Sequence, residues 1–495
     1  MCDCIGVLAA SGRAGDRFTI VSGIFSEWSY MTMKKSIIDE LVSIFGQENV
    51  LTEREDMIAY SYDAAPVEIE PEAVVFPTTT EQVSKLMKMA YREEIPVTPR
   101  GQGSGLSGGS IPLKKGIVLS MDKMKKMIEF DPNNRLITVE AGFTTSDIDP
   151  IVSEANLFYP PDPGSVAFST IGGNVAENAG GLRGLKYGVT KNYVKMLKVV
   201  LPQGDIVTVG SKCVKHVAGF NSELIFVGSE GLLGIMTEVT LALLPIPQHR
   251  ESALAIFNSL DSAAQAVSDI IAAGVTPSTM EFMDNATINA VQNFKDCGLP
   301  RDAEAVLLIE TDGEMNSAKW EMSVIEEQVK KNDIREFQRA QNTAERDALF
   351  AGRRVALNAL ASVKPNLILE DATVKRSVLP DMVRGITAIA KKHNVQVGIF
   401  GHAGDGNLHP TFLIDQSDKE EMARCHKAVD ELFQLAIDLD GTISGEHGIG
   451  LEKKPYLKNQ IGDAGIKMLQ DMKRMFDPKN LLNPGKMFDM PGEAA

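Results

Sequence analysis

Cysteine is scarce in this sequence, with five residues among 495. The number is odd, and the spacing matches neither a disulfide framework nor the clustered motifs that hold zinc or iron–sulfur centres. We therefore expect a protein of a reducing compartment, the cytoplasm. The five are Cys2, Cys4, Cys213, Cys297 and Cys425.

Long apolar runs and basic runs are also missing. No segment approaches the roughly 20 apolar residues that cross a bilayer, and the start lacks the basic-then-apolar order of a secretory signal. The formal net charge is −16, and no cluster of Lys and Arg outweighs its acidic neighbours. Because phosphate binding needs clustered cations, nucleic acid is not an expected partner. We expect a soluble chain without a transmembrane span.

The length and the hydrophobic fraction of 44% are those of a globular protein with two or three domains. Residues 1–32 show scattered Gly and Ser without a clear period, which indicates a flexible extension. From residue 72, a strand, a helix and a strand follow one another up to residue 98. A proline-rich stretch, Leu243–Gln248, ends this region, so we place a boundary near residue 247. Beyond it, strands alternate with helices as in an α/β domain.

Three glycine-rich loops dominate the first region: residues 99–112, 160–188 and 228–235. Gly103–Gly108 matches the G-x-G-x-x-G dinucleotide fingerprint formally, but Ser110-Ile-Pro112 and a strand follow it instead of a helix. The first loop is therefore not a Rossmann turn. Its backbone N–H groups can still wrap a diphosphate, the alternative being a flexible surface loop. The small residues of the second loop predict close approach to a flat ligand.

These three loops, in this order and at this spacing, resemble the FAD-binding domain of the vanillyl-alcohol oxidase/p-cresol methylhydroxylase superfamily. Within it, they are most similar to the flavoprotein subunits of FAD-linked D-lactate dehydrogenase and glycolate oxidase and to their D-2-hydroxyglutarate relatives. The resemblance implies an α+β fold with a two-part FAD-binding domain (33–247) and an α/β substrate cap domain (248–474). It also implies that a C-terminal segment (475–495) returns to the flavin.

The resemblance implies FAD as the cofactor. Many members of the superfamily attach flavin through a His or Cys of the first loop. Neither residue occurs between Pro99 and Pro112, so we expect noncovalent FAD. The residues expected to contact it are Pro99, Arg100, Gly101, Gly103, Ser104, Gly105, Gly108, Gly109, Ser110, Pro161, Asp162, Gly172, Gly173, Asn178, Gly180, Gly181, Tyr187, Gly188, Glu230, Gly231, Gly234, Ile235 and Asn483.

Two glycine-flanked segments concentrate histidine. In residues 399–411, turn chemistry separates two strand-like ends, which predicts a hairpin that brings His402 and His409 together. Ser444-Gly-Glu-His-Gly448 adds Glu446 and His447. Two imidazoles and a carboxylate suit a catalytic zinc or iron site. The alternative is a pair of hydrogen-bonded histidines beside a turn.

The resemblance assigns the metal to His402, His409 and Glu446 and the proton-abstracting role to His447. Glu446 and His447 are adjacent, and on an extended backbone their side chains would point apart. Asp405 and Asn407 are expected to form the turn or to orient the histidines. Arg353 lies where the family places the arginine that binds the substrate carboxylate, although the neighbouring Arg354 leaves open which one points inward.

The expected reaction is oxidation of a D-2-hydroxy acid to a 2-oxo acid, with D-lactate as first choice, then glycolate and D-2-hydroxyglutarate. Two alternatives stay open: an NADPH-using flavin reductase, and a non-catalytic flavin-carrying subunit of an electron-transfer complex. The chain shows no haem, iron–sulfur or nicotinamide motif of its own. An electron-transferring flavoprotein or an iron–sulfur subunit is therefore the expected electron acceptor.

Overall fold

The computed structural model describes residues 33–492. The extension predicted at residues 1–32 lies outside this range. No helix of the described range combines the length and the apolarity that crossing a membrane requires.

The strands form two sheets in the first half of the chain and one large sheet in the second. In the first half, one sheet has the order β1-β2-β4-β3 with parallel β2, β4 and β3, and the other has the antiparallel order β5-β6-β10-β8-β9. A short pair, β7 and β11, lies beside them. These strands are β1 (Val50–Leu51), β2 (Ala73–Val75), β3 (Val97–Arg100), β4 (Ile117–Ser120), β5 (Met127–Asp131), β6 (Leu136–Glu140), β7 (Leu157–Phe158), β8 (Val194–Val200), β9 (Ile206–Gly210), β10 (Ile235–Ala242) and β11 (Leu244–Pro245).

The sheet of the second half is antiparallel throughout, in the order β15-β12-β14-β13-β18-β19-β16, with β17 also paired to β19. Its central strand β13 is buried along its whole length. The strands are β12 (His249–Phe257), β13 (Thr279–Asp284), β14 (Ala305–Gly313), β15 (Ile334–Arg339), β16 (Asn366–Leu369), β17 (Ala372–Thr373), β18 (Gln396–His402) and β19 (Asn407–Ile414).

Helices cover these sheets, and several begin where the sequence supplies a cap. Thr79, for example, accepts a hydrogen bond from the amide of Gln82 and starts the helix Thr80–Glu93. The α-helices are Lys35–Phe45, Arg54–Met57, Thr80–Glu93, Ile148–Val152, Ile171–Glu177, Gly184–Tyr187, Glu223–Phe226, Leu260–Ala272, Asn285–Phe294, Met315–Lys330, Thr343–Arg354, Ala356–Ala361, Leu379–His393, Lys419–Asp438 and Lys454–Phe476.

The mixed fold class predicted from the sequence is confirmed. The strand, helix and strand predicted between residues 72 and 98 are present as β2, the helix Thr80–Glu93 and β3. The largest hydrophobic core lies on one face of the second-half sheet, under the helices Leu260–Ala272, Leu379–His393 and Lys419–Asp438. A separate core fills its other face. With both faces covered, the sheet is a rigid platform for the side chains that its strands carry.

Polar contacts join the two halves of the chain. Asp312 of the second half accepts hydrogen bonds from Lys186 Nζ at 2.6 Å and from Tyr187 Oη at 2.8 Å. The C-terminal segment returns to the first glycine-rich loop, where Asn483 Nδ2 donates to the carbonyl of Gly109. These contacts close a cavity between the halves.

Candidate active site

A cavity of about 1200 Å³ lies between the first-half loops and the second-half sheet. All three glycine-rich loops line it, together with Arg353, His402, His409, Glu446 and His447. The glycine-rich loops and side chains of the second-half sheet therefore face one shared space. Such a volume slightly exceeds the roughly 300–1,000 Å³ of ordinary small-molecule pockets, as a dinucleotide requires.

Most of the residues predicted to contact FAD line this cavity. The structure places there Pro99, Arg100, Gly101, Gly103, Ser104, Gly105, Gly109, Ser110, Pro161, Asp162, Gly172, Gly173, Gly180, Glu230, Gly231, Gly234, Ile235 and Asn483.

Five residues predicted to contact FAD do not line this cavity, and each has a structural role within the chain. Tyr187 holds Asp312, and Asn178 ends the helix Ile171–Glu177 in a left-handed conformation. The other three, Gly108, Gly181 and Gly188, have positive φ angles, and a Cβ there would collide with Leu451, with the backbone of Asp162 or with Asn192. Glycine at these positions is explained by the turn and the close packing of the protein itself.

The hairpin predicted from the turn residues is present. β18 pairs with β19 in a register that sets Phe400 opposite His409 and His402 opposite Asn407. Gly406 makes the turn possible, because its φ is +83° and a Cβ would lie 2.1 Å from the carbonyl oxygen of Val374. The rings of His402 and His409 are 5.2 Å apart and perpendicular.

Glu446 approaches both histidines. Its Oε1 lies 3.1 Å from His402 Nε2 and 3.4 Å from His409 Nε2. Burial alone raises the pKa of Glu446, but the charges of the two imidazoles outweigh it and hold that pKa well below its ordinary value. Burial lowers the pKa of His402, yet the carboxylates of Glu281 and Glu446 raise it well above its ordinary value. These two directions favour a protonated His402 beside an ionised Glu446.

The loop that carries Glu446 and His447 is bent, so the expectation that their side chains point apart on an extended backbone is wrong. The backbone amides of Gly445, Glu446 and His447 all donate to one oxygen, Oδ2 of Asp371, at 2.9, 3.0 and 2.9 Å. Three consecutive amides reach one acceptor only if the backbone curls around it. Both side chains consequently face the cavity, and the His447 ring stacks on that of His409 at 5.1 Å.

Asp371 is fully buried and also accepts from Lys453 Nζ at 3.1 Å. Burial raises the pKa of this carboxyl, but Lys453 and the nearby histidines lower it well below its ordinary value. Burial is also the main cause that lowers the pKa of His447 to about 4, which the opposing charge of Asp371 does not offset. His447 is therefore a neutral imidazole at pH 7.

Arg353, and not Arg354, is the buried member of the arginine pair, although both line the cavity. Arg353 Nε donates to Glu281 Oε2 at 2.6 Å, and its guanidinium lies 4.7 Å from the centre of the Phe400 ring. Among residues 33–492, neither terminal guanidinium nitrogen of Arg353 has a hydrogen-bond partner within the chain. These nitrogens can bind a carboxylate.

Sequence reasoning missed Glu281 and Asp371. The predicted orienting residues Asp405 and Asn407 form the hairpin turn, whereas Glu281 Oε1 contacts His402 Nδ1 at 2.7 Å. A usable signal existed: Glu281 interrupts the apolar run Met280–Met283, and a charge inside a central strand must find a buried partner. Asp371 gave no such signal because it follows the end of a strand, where a charged residue is common.

Most of the chain matches known proteins. Residues 71–210 match a family model described as an FAD binding domain, and residues 246–487 match the C-terminal domain of FAD linked oxidases. The chain is a member of the FAD-linked oxidase family. It is an oxidoreductase, as the sequence-based resemblance predicted.

Relatives match over most of their length. The chain is 46% identical to glycolate oxidase subunit GlcD of Bacillus subtilis (strain 168), over 92% of this chain and 97% of the relative. It is 32% identical to D-lactate dehydrogenase of Anaerostipes hadrus, over 93% and 99%. A solved structure of p-cresol methylhydroxylase with substrate bound shares the fold with a TM-score of 0.73 at 17% identity, covering 94% of this chain and 99% of the other.

The cavity of this FAD-linked oxidase fits its cofactor. Along the first loop, a Cβ built on Gly105 would meet no atom within 4 Å, so the backbone there is open to a ligand. Gly101, by contrast, is required by Thr170, whose Oγ1 would lie 2.3 Å from such a Cβ. The donor set also fits a metal, because His402, His409 and Glu446 each offer a ligand atom and these atoms lie within 4.8 Å of one another.

Proposed function

We propose that this chain oxidises short D-2-hydroxy acids to 2-oxo acids, using noncovalent FAD and one divalent transition metal. The observation that carries the proposal is the meeting of a neutral imidazole, a buried guanidinium and a two-histidine, one-carboxylate set in the cavity of an FAD-linked oxidase. These are the groups needed to bind a carboxylate and to deprotonate the adjacent hydroxyl.

Each protein group has one task in this reaction. The terminal nitrogens of Arg353 bind the substrate carboxylate, and Phe400 and Glu281 hold the guanidinium in place. His447 takes the hydroxyl proton on a ring nitrogen, which it can do because its depressed pKa leaves it unprotonated at pH 7. Stacking on His409 and the amide contacts to Asp371 fix the His447 ring.

Two bound groups complete the site. The glycine-rich loops and Asn483 would hold FAD, and His402, His409 and Glu446 would hold zinc or iron. FAD supplies a two-electron acceptor, and the metal supplies Lewis acidity at the substrate oxygen. The lining contains no cysteine, and its three histidines belong to the metal and base set, which supports a noncovalent flavin.

The proposed substrates, D-lactate and glycolate, are chemically similar. D-lactate stays our first prediction, and relatives carry the name D-lactate dehydrogenase. The relative named glycolate oxidase subunit, at 46% identity, favours glycolate as the second candidate. Both are small monocarboxylates that Arg353 and His447 can bind in the same way.

We further propose that the electrons leave through a separate protein and that the chain works in the cytoplasm. The word subunit in the name of the 46%-identical relative supports a multi-chain assembly, with an iron–sulfur subunit or an electron-transferring flavoprotein as acceptor. Among the described residues, Cys213, Cys297 and Cys425 form no disulfide, which supports a reducing compartment.

The test is steady-state dye reduction by the FAD- and zinc- or iron-loaded chain with glycolate, D-lactate, L-lactate and D-2-hydroxyglutarate. We expect turnover with D-lactate and glycolate and little with L-lactate. No turnover with any of the four would support the alternative of a non-catalytic flavin carrier. Flavin reduction by NADPH would support the reductase alternative.

A further inference from the structure

Glu281 lies behind the active site and does not line its cavity. It is on β13, the central strand of the second-half sheet, and its side chain is fully buried. An ionised carboxylate in such a place is costly unless its oxygens are bonded. Both oxygens of Glu281 are bonded, each to a different residue of the proposed site.

One bond holds a proposed metal ligand, and the other holds the proposed substrate-binding arginine. Oε1 accepts from His402 Nδ1 at 2.7 Å, and Oε2 accepts from Arg353 Nε at 2.6 Å. The first bond fixes the plane of the imidazole and directs its Nε2 toward Glu446. The second bond holds the guanidinium with its terminal nitrogens free to bind substrate.

Only a carboxylate can make both bonds. When Nε2 of His402 ligates a metal, its Nδ1 carries the proton and is a donor like Arg353 Nε–H, so the residue between them must accept twice. Glutamine has one accepting oxygen and one donating NH₂ group. In a Glu281→Gln variant, a donor would therefore face a donor at one of the two ends, whichever way the amide turned.

We propose that Glu281 is a positioning residue that couples the metal site to substrate binding, by holding His402 and Arg353 on one rigid carboxylate. The inference rests on the proposed function, because it takes His402 as a metal ligand and Arg353 as the carboxylate-binding group. A substitution of Glu281 should affect both metal binding and substrate binding. A substitution of His402 should first affect metal binding, and a substitution of Arg353 should first affect substrate binding.

The test compares zinc affinity and kinetics of the full-length, FAD-loaded chain with those of Glu281→Gln. Zinc affinity is measured by competition with a chromophoric chelator and needs no turnover. We expect the variant to bind zinc about 10–100-fold more weakly, the usual effect of losing a residue that orients a metal ligand. We expect KM for D-lactate to rise even at saturating metal, since Arg353 is released. Glu281→Asp keeps both acceptors on a shorter side chain and should fall between the two proteins.

Glu310→Gln is the matched control. Glu310 is a buried carboxylate on the adjacent strand β14, accepts from Ser252 Oγ at 3.0 Å and does not line the cavity. It should leave zinc affinity and KM unchanged. Equal zinc affinity and equal KM in Glu281→Gln and the parent would overturn the proposal, as would equal losses in the Glu310 control. A parent chain that binds no zinc or iron would instead contradict the metal part of the proposed function.

Discussion

Replacing Asp371 by asparagine should both destabilise the fold and misplace His447. Asp371 and Lys453 form an ion pair with side-chain exposures of 0% and 3%. Asn at 371 removes the ion-pair partner of the buried Lys453 ammonium, and breaking a buried pair from one side costs about 3–5 kcal/mol. The same change weakens the acceptor that gathers the amides of Gly445, Glu446 and His447.

Two comparison variants separate these effects. Asp477→Asn breaks another buried pair, in which Asp477 lies 2.6 Å from Lys473 Nζ and which is outside the cavity lining. It should cost about as much stability but leave flavin reduction by D-lactate near the parent rate. Adding Lys453→Met to Asp371→Asn removes the unpaired charge and should recover part of the lost free energy of unfolding.

The stability effect has a defined pH dependence. The pKa of Asp371 is lower in the folded state than in the unfolded state, so its contribution is complete above the unfolded value of about 3.9. It is lost as pH falls toward the lower folded pKa. Urea unfolding at several pH values should therefore give a constant difference between parent and Asp371→Asn from pH 8 to pH 5, shrinking below about pH 4. A difference under about 1 kcal/mol at pH 7, or one that grows on acidification, would refute the reasoning.

Three further outcomes are expected. His447→Ala should keep bound FAD and metal but slow D-lactate oxidation by about 10²–10⁴-fold, the usual contribution of a general base. Stopped-flow absorbance measures this rate, and a rate equal to that of the parent would exclude His447 as the base. His409→Ala should lose both metal, measured by elemental analysis, and activity while retaining FAD; a metal-free variant with full activity would contradict the metal site. The parent should pass electrons to a soluble dye or to a suitable partner protein and hardly at all to NAD⁺; robust NAD⁺ reduction would mean that a nicotinamide site exists.

The sequence predicted the parts of the site that are local in the chain. The turn residues between His402 and His409 specify a hairpin, and a hairpin fixes which side chains meet across it. The first loop was separated from a Rossmann turn because Pro112 and a strand follow it. Both features depend on neighbours within a dozen residues.

The contacts that orient the site are not local, and the sequence did not predict them. Glu281 lies on β13 and Asp371 lies between β16 and β17, both far in the chain from His402 and His447, and only the fold of the sheet brings them together. The bend at Glu446 follows from Asp371, so a rule for extended backbone gave the wrong orientation. A glycine needed for packing, such as Gly108 against Leu451, looks the same in sequence as one that admits a ligand.

The most direct test of the central claim is a single turnover without any electron acceptor. The FAD- and metal-loaded chain is mixed anaerobically with D-lactate, glycolate or L-lactate, and the flavin absorbance near 450 nm is followed. We expect D-lactate and glycolate to bleach the flavin fully, L-lactate to leave it oxidised, and chelation of the metal to abolish the bleaching. Full bleaching by L-lactate, or by D-lactate in a chain stripped of metal, would contradict oxidation of a D-2-hydroxy acid at this metal and histidine site.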